Sequence, residues 1–392
     1  MLPRVKINYL NGLLGAAPES QDGLLGLVVL GATAVSTTFV LGKPYRLVRP
    51  DDLTALGITS DNNVRIVELV SQFYAEAEEG TPVYLIGIEA TSMTSVLDVA
   101  SGPMKAIVES LRGNLRGLVV ASASTATATV TDGLDPDVLT ALPKAQALAD
   151  WAADGLYAPI FVILEGRHFS SAADAPDLTE QSYNRVGVFV GDVVASSKNA
   201  AVGTLAGRIA ISPVQRNIGR VATGPLAPQE MFIGALPVDE SMSVVSTLYA
   251  KGYISPRIHI GLAGYYLVDD HLATANTDDY AHLTARRTVD KAARIAYLTM
   301  LQFLLDEVEL NADGTMQQPV LKSWQAAVED AINTQMTAAG ELSVVDGSGC
   351  KFFIEPKQNV LSTSKVEGTL KVRPYGYARD IVVNIGFLTQ NS

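Results

Sequence analysis

Between residues 24 and 255 of this 392-residue chain, short apolar runs rich in β-prone residues alternate with stretches of helical periodicity. The runs lie at 25–30, 83–88, 117–121, 159–164 and 186–190, and the helical stretches at about 64–79, 104–112, 137–154 and 198–210. A strand that is apolar at every position must be covered on both faces. Strands separated by helices pair in parallel, because the crossover consumes a helix. The pattern therefore predicts an α/β domain with a largely parallel sheet between helices. Gly80-Thr81-Pro82 supplies a stop between the first helix and the second strand. The low-complexity Ala/Ser/Thr tract at 121–131 reads as a strand edge or surface loop.

Both ends depart from that pattern. Residues 4–9 alternate, with Val5, Ile7 and Tyr9 on one face, and read as a single half-buried strand. A loop carrying Gly12, Gly15, Pro18 and Asp22-Gly23 separates it from the rest. A lone strand leaves its backbone groups and apolar face uncovered, so it must join a distant strand of its own chain or an edge on another chain. After Gly252 the composition changes. Residues 253–282 are irregular, and then Leu283, Val289, Leu298, Leu301, Leu305 and Val308 mark a helix over about 279–309. A second helix is expected over 319–338, ending near Gly340. In the tail, Val366, Gly368, Leu370 and Val372 alternate with polar residues, and after Pro374-Tyr375-Gly376 the residues Ile381, Val383, Ile385 and Phe387 form one face of a last strand. The expected organisation is an N-terminal arm at 1–22, a core at 23–255, a second domain at 256–375 and a C-terminal strand at 376–392.

Charged residues make up only 18% of the chain, against roughly 25% in an ordinary soluble domain. Apolar types reach 48% and mean hydropathy is +0.21. Apolar surface in that excess points to burial between subunits. The 29 basic and 41 acidic residues give a net charge of −12, with no basic run longer than Arg286-Arg287. Phosphate backbones and anionic membranes both call for clustered cations, so neither partner is expected. Cys350 is the sole cysteine, which leaves no intrachain disulfide and no thiolate zinc cluster. The N-terminus has no signal-peptide pattern, and the stretch Leu24 to Val35 is too short for a bilayer, so a chain made in the cytoplasm is expected.

Phosphate loops, dinucleotide fingerprints, HExxH, paired CxxC and the nucleophile elbow are absent from the sequence. Glu165-Gly-Arg-His168 follows an apolar strand, where open sheets place ligands, but reads best as a polar loop closing the strand. Asp269-Asp270-His271 and Asp278-Asp279 with His282 are the densest potential metal ligands; the preferred reading is that Thr277 or Asp278 caps the long helix and Asp279 meets its positive end. Ala90-Thr-Ser92-Met invites comparison with the serine segment of subtilisin-type proteases, but every histidine follows Ser92, so the order Asp, His, Ser fails. Cys350 reads as a small buried hydrophobe. On the long helix Arg287, Asp290, Lys291 and Arg294 share a face. They form either an intrahelical pair network or an ionic patch for an acidic partner.

Four stretches, in order, resemble a known family. They are Tyr45-Arg-Leu-Val-Arg-Pro-Asp-Asp-Leu-Thr-Ala-Leu-Gly57; Phe73 through Gly80-Thr-Pro-Val-Tyr-Leu-Ile86; Asp278-Asp-Tyr280 through Arg287-Thr-Val-Asp-Lys-Ala292; and the tail, Val366–Val372 with Arg373-Pro-Tyr-Gly-Tyr377 and Ile381–Phe387. Together they are similar to the tail sheath proteins of contractile phage tails and contractile injection systems, nearest the compact sheaths of Mu-like phages. The resemblance implies a subtilisin-like three-layer α/β core without the protease triad, an α+β C-terminal sheath domain, and extended N- and C-terminal strand arms. It implies a virion or injection-system structural protein, assembled in the bacterial cytoplasm. Such a protein polymerises as hexameric rings stacked helically around an inner tube, with baseplate and tail terminator proteins as further partners. Contraction would then drive the tube through a target envelope, as in viral genome ejection, with no catalysis, cofactor or metal.

The residues carry the same idea. Val5, Ile7 and Tyr9 at one end, and Ile381, Val383, Ile385 and Phe387 at the other, are the candidates for strand exchange with neighbours. About five or six backbone hydrogen bonds at a net ~0.5–1.5 kcal/mol each give roughly 3–9 kcal/mol, against an association cost of about 4–15 kcal/mol. One exchange is marginal, and two arms per subunit in a closed lattice suffice. Arg287, Asp290, Lys291 and Arg294 are the candidate tube contact. The alternatives are a tube or baseplate component of such a machine, or a cytoplasmic α/β enzyme.

Overall fold

A computed structural model describes residues 21–123 and 129–385. By internal contacts the chain divides after Arg294 into two units. That division falls later than the composition change at 255, because residues 256–294 are tied to the core: Ala273–Thr274 pairs antiparallel with Ser182–Tyr183, and Arg185 pairs with Asp290.

The first unit is built on β1 (Leu25–Leu30), β2 (Pro44–Leu47), β3 (Val83–Ile88), β4 (Gly117–Ser122), β5 (Phe161–Glu165), β6 (Ser182–Tyr183) and β7 (Val186–Phe189). Six of these form one sheet in the order β2-β3-β1-β4-β5-β7. All neighbours are parallel except β2, which runs antiparallel to β3 at the edge and carries Pro44, a residue edges tolerate. Leu27 of central β1 stands opposite Leu85 on one side and Val119 on the other. Every residue of β1, β4, β5 and β7 is buried, as continuous apolar runs require.

Between the strands lie α1 (Asp52–Ala55), α2 (Ser60–Ala77), α3 (Met93–Leu97), α4 (Met104–Ser110), α5 (Pro136–Gly155), α6 (Val202–Ile211) and α7 (Met242–Ala250). Helices α2 and α6 pack on each other, with α6 against β1 and β4; α5 packs against β5 and β7 and carries α3 and α4. The α2–α6 contact is a close one. A Cβ on Gly203 would sit 2.4 Å from the Leu69 carbonyl oxygen, and one on Gly207 2.6 Å from that of Phe73. Beside them, Arg208 forms a buried ion pair with Glu76.

Helix α8 (Leu283–Met300) is shorter than its apolar periodicity suggested. It closes in a single tight turn at Leu301–Phe303, and Leu305 takes a φ of 64°. The following Asp306, Glu307 and Glu309 would meet the negative end of the helix dipole, which disfavours continuation. In the second unit, α9 (Gln318–Ile332) packs on the hairpin strand Cys350–Ile354, which pairs antiparallel with Gly368–Val372. Glu329 of α9 accepts the Phe352 N–H at 2.8 Å, tying helix to hairpin. Cys350 is buried there and burial pushes its thiol pKa up, as for an inert apolar side chain.

The expected strand at 4–9 lies outside the described residues. The expected last strand does not form over 381–385: these residues have no regular structure and no pairing. Strand geometry is not self-supporting, and the segment pairs with no strand among the described residues.

Candidate functional site

The end of β5 is where a ligand would be sought. Glu165 is fully buried there and accepts from Ser122 N–H at 2.7 Å, Ala200 N–H at 2.9 Å and Arg65 Nη2 at 2.6 Å. The same guanidinium reaches the Ala200 carbonyl at 2.6 Å. Three donors on one carboxylate, one of them a buried cation, make a closed structural joint between α2, β4 and β5. Arg167 is also engaged, 2.6 Å from Asp135 and 3.4 Å from Asp137, and His168 donates its backbone N–H to Lys198. The Glu165–His168 stretch closes the strand.

Ser92 likewise has a local task. Its hydroxyl donates to Asp137 at 2.8 Å and accepts from Ser95 N–H at 3.3 Å, capping α3. Asp137 also accepts from the Met93 and Thr94 N–H groups. Burial works against its charge, yet these donors hold its carboxyl below the usual range. The serine has a carboxylate and not an imidazole for a partner.

Asp269, Asp270 and His282 converge, with one potential ligand atom of each within 4.8 Å of the others. Their hydrogen bonds are those of a helix start. Asp270 Oδ2 accepts the Thr284 N–H at 2.7 Å, and the Asp270 carbonyl accepts that of Leu283 at 2.8 Å. Asn217 Nδ2 lies 2.6 Å from Asp269 Oδ1 and 2.8 Å from Asp270 Oδ1, and His282 Nδ1 lies 3.1 Å from Asp270 Oδ1. Burial raises the Asp270 pKa, but its hydrogen bond to His282, that ring's charge and the remaining donors outweigh it and hold the group well below its ordinary value. Asp270 therefore starts α8 from a distant loop, in place of Thr277 or Asp278. Asp278 instead accepts from Tyr280 N–H, Asn184 and Thr274.

The basic face of α8, expected to be either an intrahelical pair network or an ionic patch for an acidic partner, is engaged with groups of the first unit. Arg287 is buried and donates to the carbonyls of Ser212 (2.8 Å), Ile209 and Asp22 (3.3 Å each). Asp290 is buried between Arg185 (3.0 Å) and Arg286 (2.8 Å). Lys291 lies 2.6 Å from Asp22, with 16% of its side chain exposed. Arg294 reaches the Leu115 and Pro159 carbonyls; burial and the neighbouring Arg116 lower its pKa to about 9. The helical spacing was correct, but which way the face pointed depended on acids and carbonyls far away in sequence.

Apolar residues also stand outward. Ile381, Val382 and Val383 are about three-quarters exposed, and Ile385 is 96% exposed. The two strands of the second unit's hairpin pair only with each other among the described residues, so each leaves one edge without a strand. Among the expected exchange residues, Ile381, Val383 and Ile385 thus stand on the surface, and Val5, Ile7, Tyr9 and Phe387 lie outside the described residues. Leu298, Leu301 and Leu305, which the helical spacing had aligned, are exposed, and so is Leu304. No described helix is long and apolar enough to cross a membrane.

The DUF2586 N-terminal domain model matches residues 2–271, and the DUF2586 C-terminal domain model matches residues 279–392. No curated protein matches in sequence. In fold the chain is similar to a chain of the PVC sheath complex, an extracellular contractile injection system in its contracted state, at 15% identity and a TM-score of 0.64 over 100% of this chain and 98% of that one. It is similar to a chain of the anti-feeding prophage baseplate at 17% identity and a TM-score of 0.66, over 99% of each. The sheath tail protein of Desulfitobacterium hafniense matches at 12% identity and a TM-score of 0.52, over 95% of this chain and 100% of that one. Identities this low establish a common fold.

Proposed function

The chain belongs to the DUF2586 family, and from that premise we propose that it is a structural tail sheath protein, which polymerises into a six-fold helical sheath around an inner tube and drives that tube by contracting. One observation carries the reading: the likeness to a sheath-complex chain runs over 100% of this chain and 98% of that one. The surface is consistent with it. The apolar segment 381–385 is extended and solvated, as a strand awaiting a partner would be, and the hairpin Cys350–Ile354 with Gly368–Val372 leaves edges that could receive one.

In this reading the core is a subtilisin-like layered domain from which the triad is missing, with Glu165 and Ser92 serving as joints. The chain acts without catalysis. N- and C-terminal arms cross to neighbouring subunits, so rings can rotate and widen while staying linked, and contraction releases energy stored in a metastable extended lattice. The inner tube, baseplate and tail terminator are its partners, and the particle is a virion tail or an injection system assembled in the bacterial cytoplasm.

A second reading, a baseplate component, is favoured by the match to a chain of a baseplate assembly. Negative-stain electron microscopy of the purified protein at high concentration separates the two. Hollow tubes or stacked rings with six-fold end views are expected of a sheath. A uniform population of small particles would sink that reading in favour of the baseplate.

A further inference from the structure

Asp22 lies close to the start of the described residues, and α8 grips it twice. Lys291 Nζ is 2.6 Å from its carboxylate, and Arg287 Nη2 donates to its carbonyl at 3.3 Å. The same Arg287 nitrogen donates to the Ile209 and Ser212 carbonyls at the end of α6, where the negative end of the helix dipole suits a cation. Gly23 lies flat on that terminus, since a Cβ there would fall 2.0 Å from the Ala210 carbonyl oxygen. The chain at Asp22 and Gly23 is thus wedged between the end of α6 and the face of α8.

We propose that Asp22, Gly23, Arg287 and Lys291 form a clasp that sets the direction in which the N-terminal exchange arm departs, and so act as positioning residues for subunit assembly. The inference rests on the sheath reading. A tethered strand gains from its high effective concentration only when its root aims it at the partner edge, and a root that swivels dilutes the strand over the wrong directions. Holding the root in the free subunit removes part of the ordering cost from the assembly step. The clasp gives two of the four α8 positions, Arg287 and Lys291, a role inside the subunit.

The full-length chain tests this with Asp22→Ala, Lys291→Met, both together, and Lys291→Arg. Two quantities are read: the protein concentration at which tubes appear, by light scattering and negative stain, and the thermal midpoint of the unassembled subunit. The expected result is that each single change raises the assembly concentration about tenfold, that the double change is no worse than either, and that Lys291→Arg assembles as wild type. Midpoints should stay within a few degrees of one another, because both side chains are partly exposed. Assembly at the wild-type concentration by Asp22→Ala and Lys291→Met overturns the clasp. So does a loss of assembly that tracks a matching fall in midpoint, which marks general destabilisation. If wild type itself forms no tubes, the sheath reading has failed, and the clasp with it.

Discussion

Glu165 shows how much one buried side chain can carry. Its fully buried carboxylate answers a guanidinium and two backbone N–H groups. Removing one partner of such a joint strands the others, whereas removing both can be nearly neutral. Glu165→Ala should therefore cost about 3–5 kcal/mol by denaturant unfolding of the unassembled subunit. Arg65→Met combined with Glu165→Leu should recover much of the loss. A second residue-scale expectation concerns acid. The folded pKa of Asp270 is depressed, so its contribution is present above its unfolded value of about 4 and is lost as pH falls from there through the folded value. Asp270→Asn should lower stability at neutral pH and flatten the acid limb below about pH 4. An acid limb with wild-type slope in that variant would show that another carboxylate governs it. Both residues were visible in the sequence as acids near strand or helix ends. Their partners, Arg65 and Thr284, lie 100 and 14 positions away, and only folding brought them together.

Among the elements, the strands were the most legible, because five apolar runs allow little else. The strands at 25–30 and 83–88 match the observed bounds, and the other three fall within two residues of them. Edge strand β2 was not predicted from periodicity, since Pro44-Tyr-Arg-Leu47 is half polar and needs one buried face only. The α2–α6 contact shows packing overriding propensity. Alanine ordinarily improves a helical glycine by about 1 kcal/mol. At Gly207 the neighbour is backbone that cannot step aside, so Gly207→Ala should destabilise by roughly 1–3 kcal/mol, measured by thermal or denaturant unfolding. The tail behaves in the opposite way. Ile385 is almost fully solvated, so Ile385→Asp should leave subunit unfolding unchanged while suppressing tube formation. A wild-type yield of tubes from that variant would remove 381–385 from the assembly interface.

For the molecule as a whole, the sheath reading makes the N-terminal strand indispensable to polymers and dispensable to the subunit. Deleting residues 1–12 should abolish long tubes and leave the unfolding transition of the subunit in place; a baseplate wedge need not lose its assembly. The sequence by itself determined the α/β class, the strand positions and the want of a catalytic motif, because periodicity and composition act through near neighbours along the chain. It also showed that Arg287, Asp290, Lys291 and Arg294 share one helical face, a consequence of helical pitch alone. Only the tertiary structure decided that this face turns inward, that Asp270 and not Asp278 starts α8, and that Ile381 to Ile385 stay without a strand partner. Each of those depends on which distant groups become neighbours, and a helix or strand carries no record of that until the chain has packed.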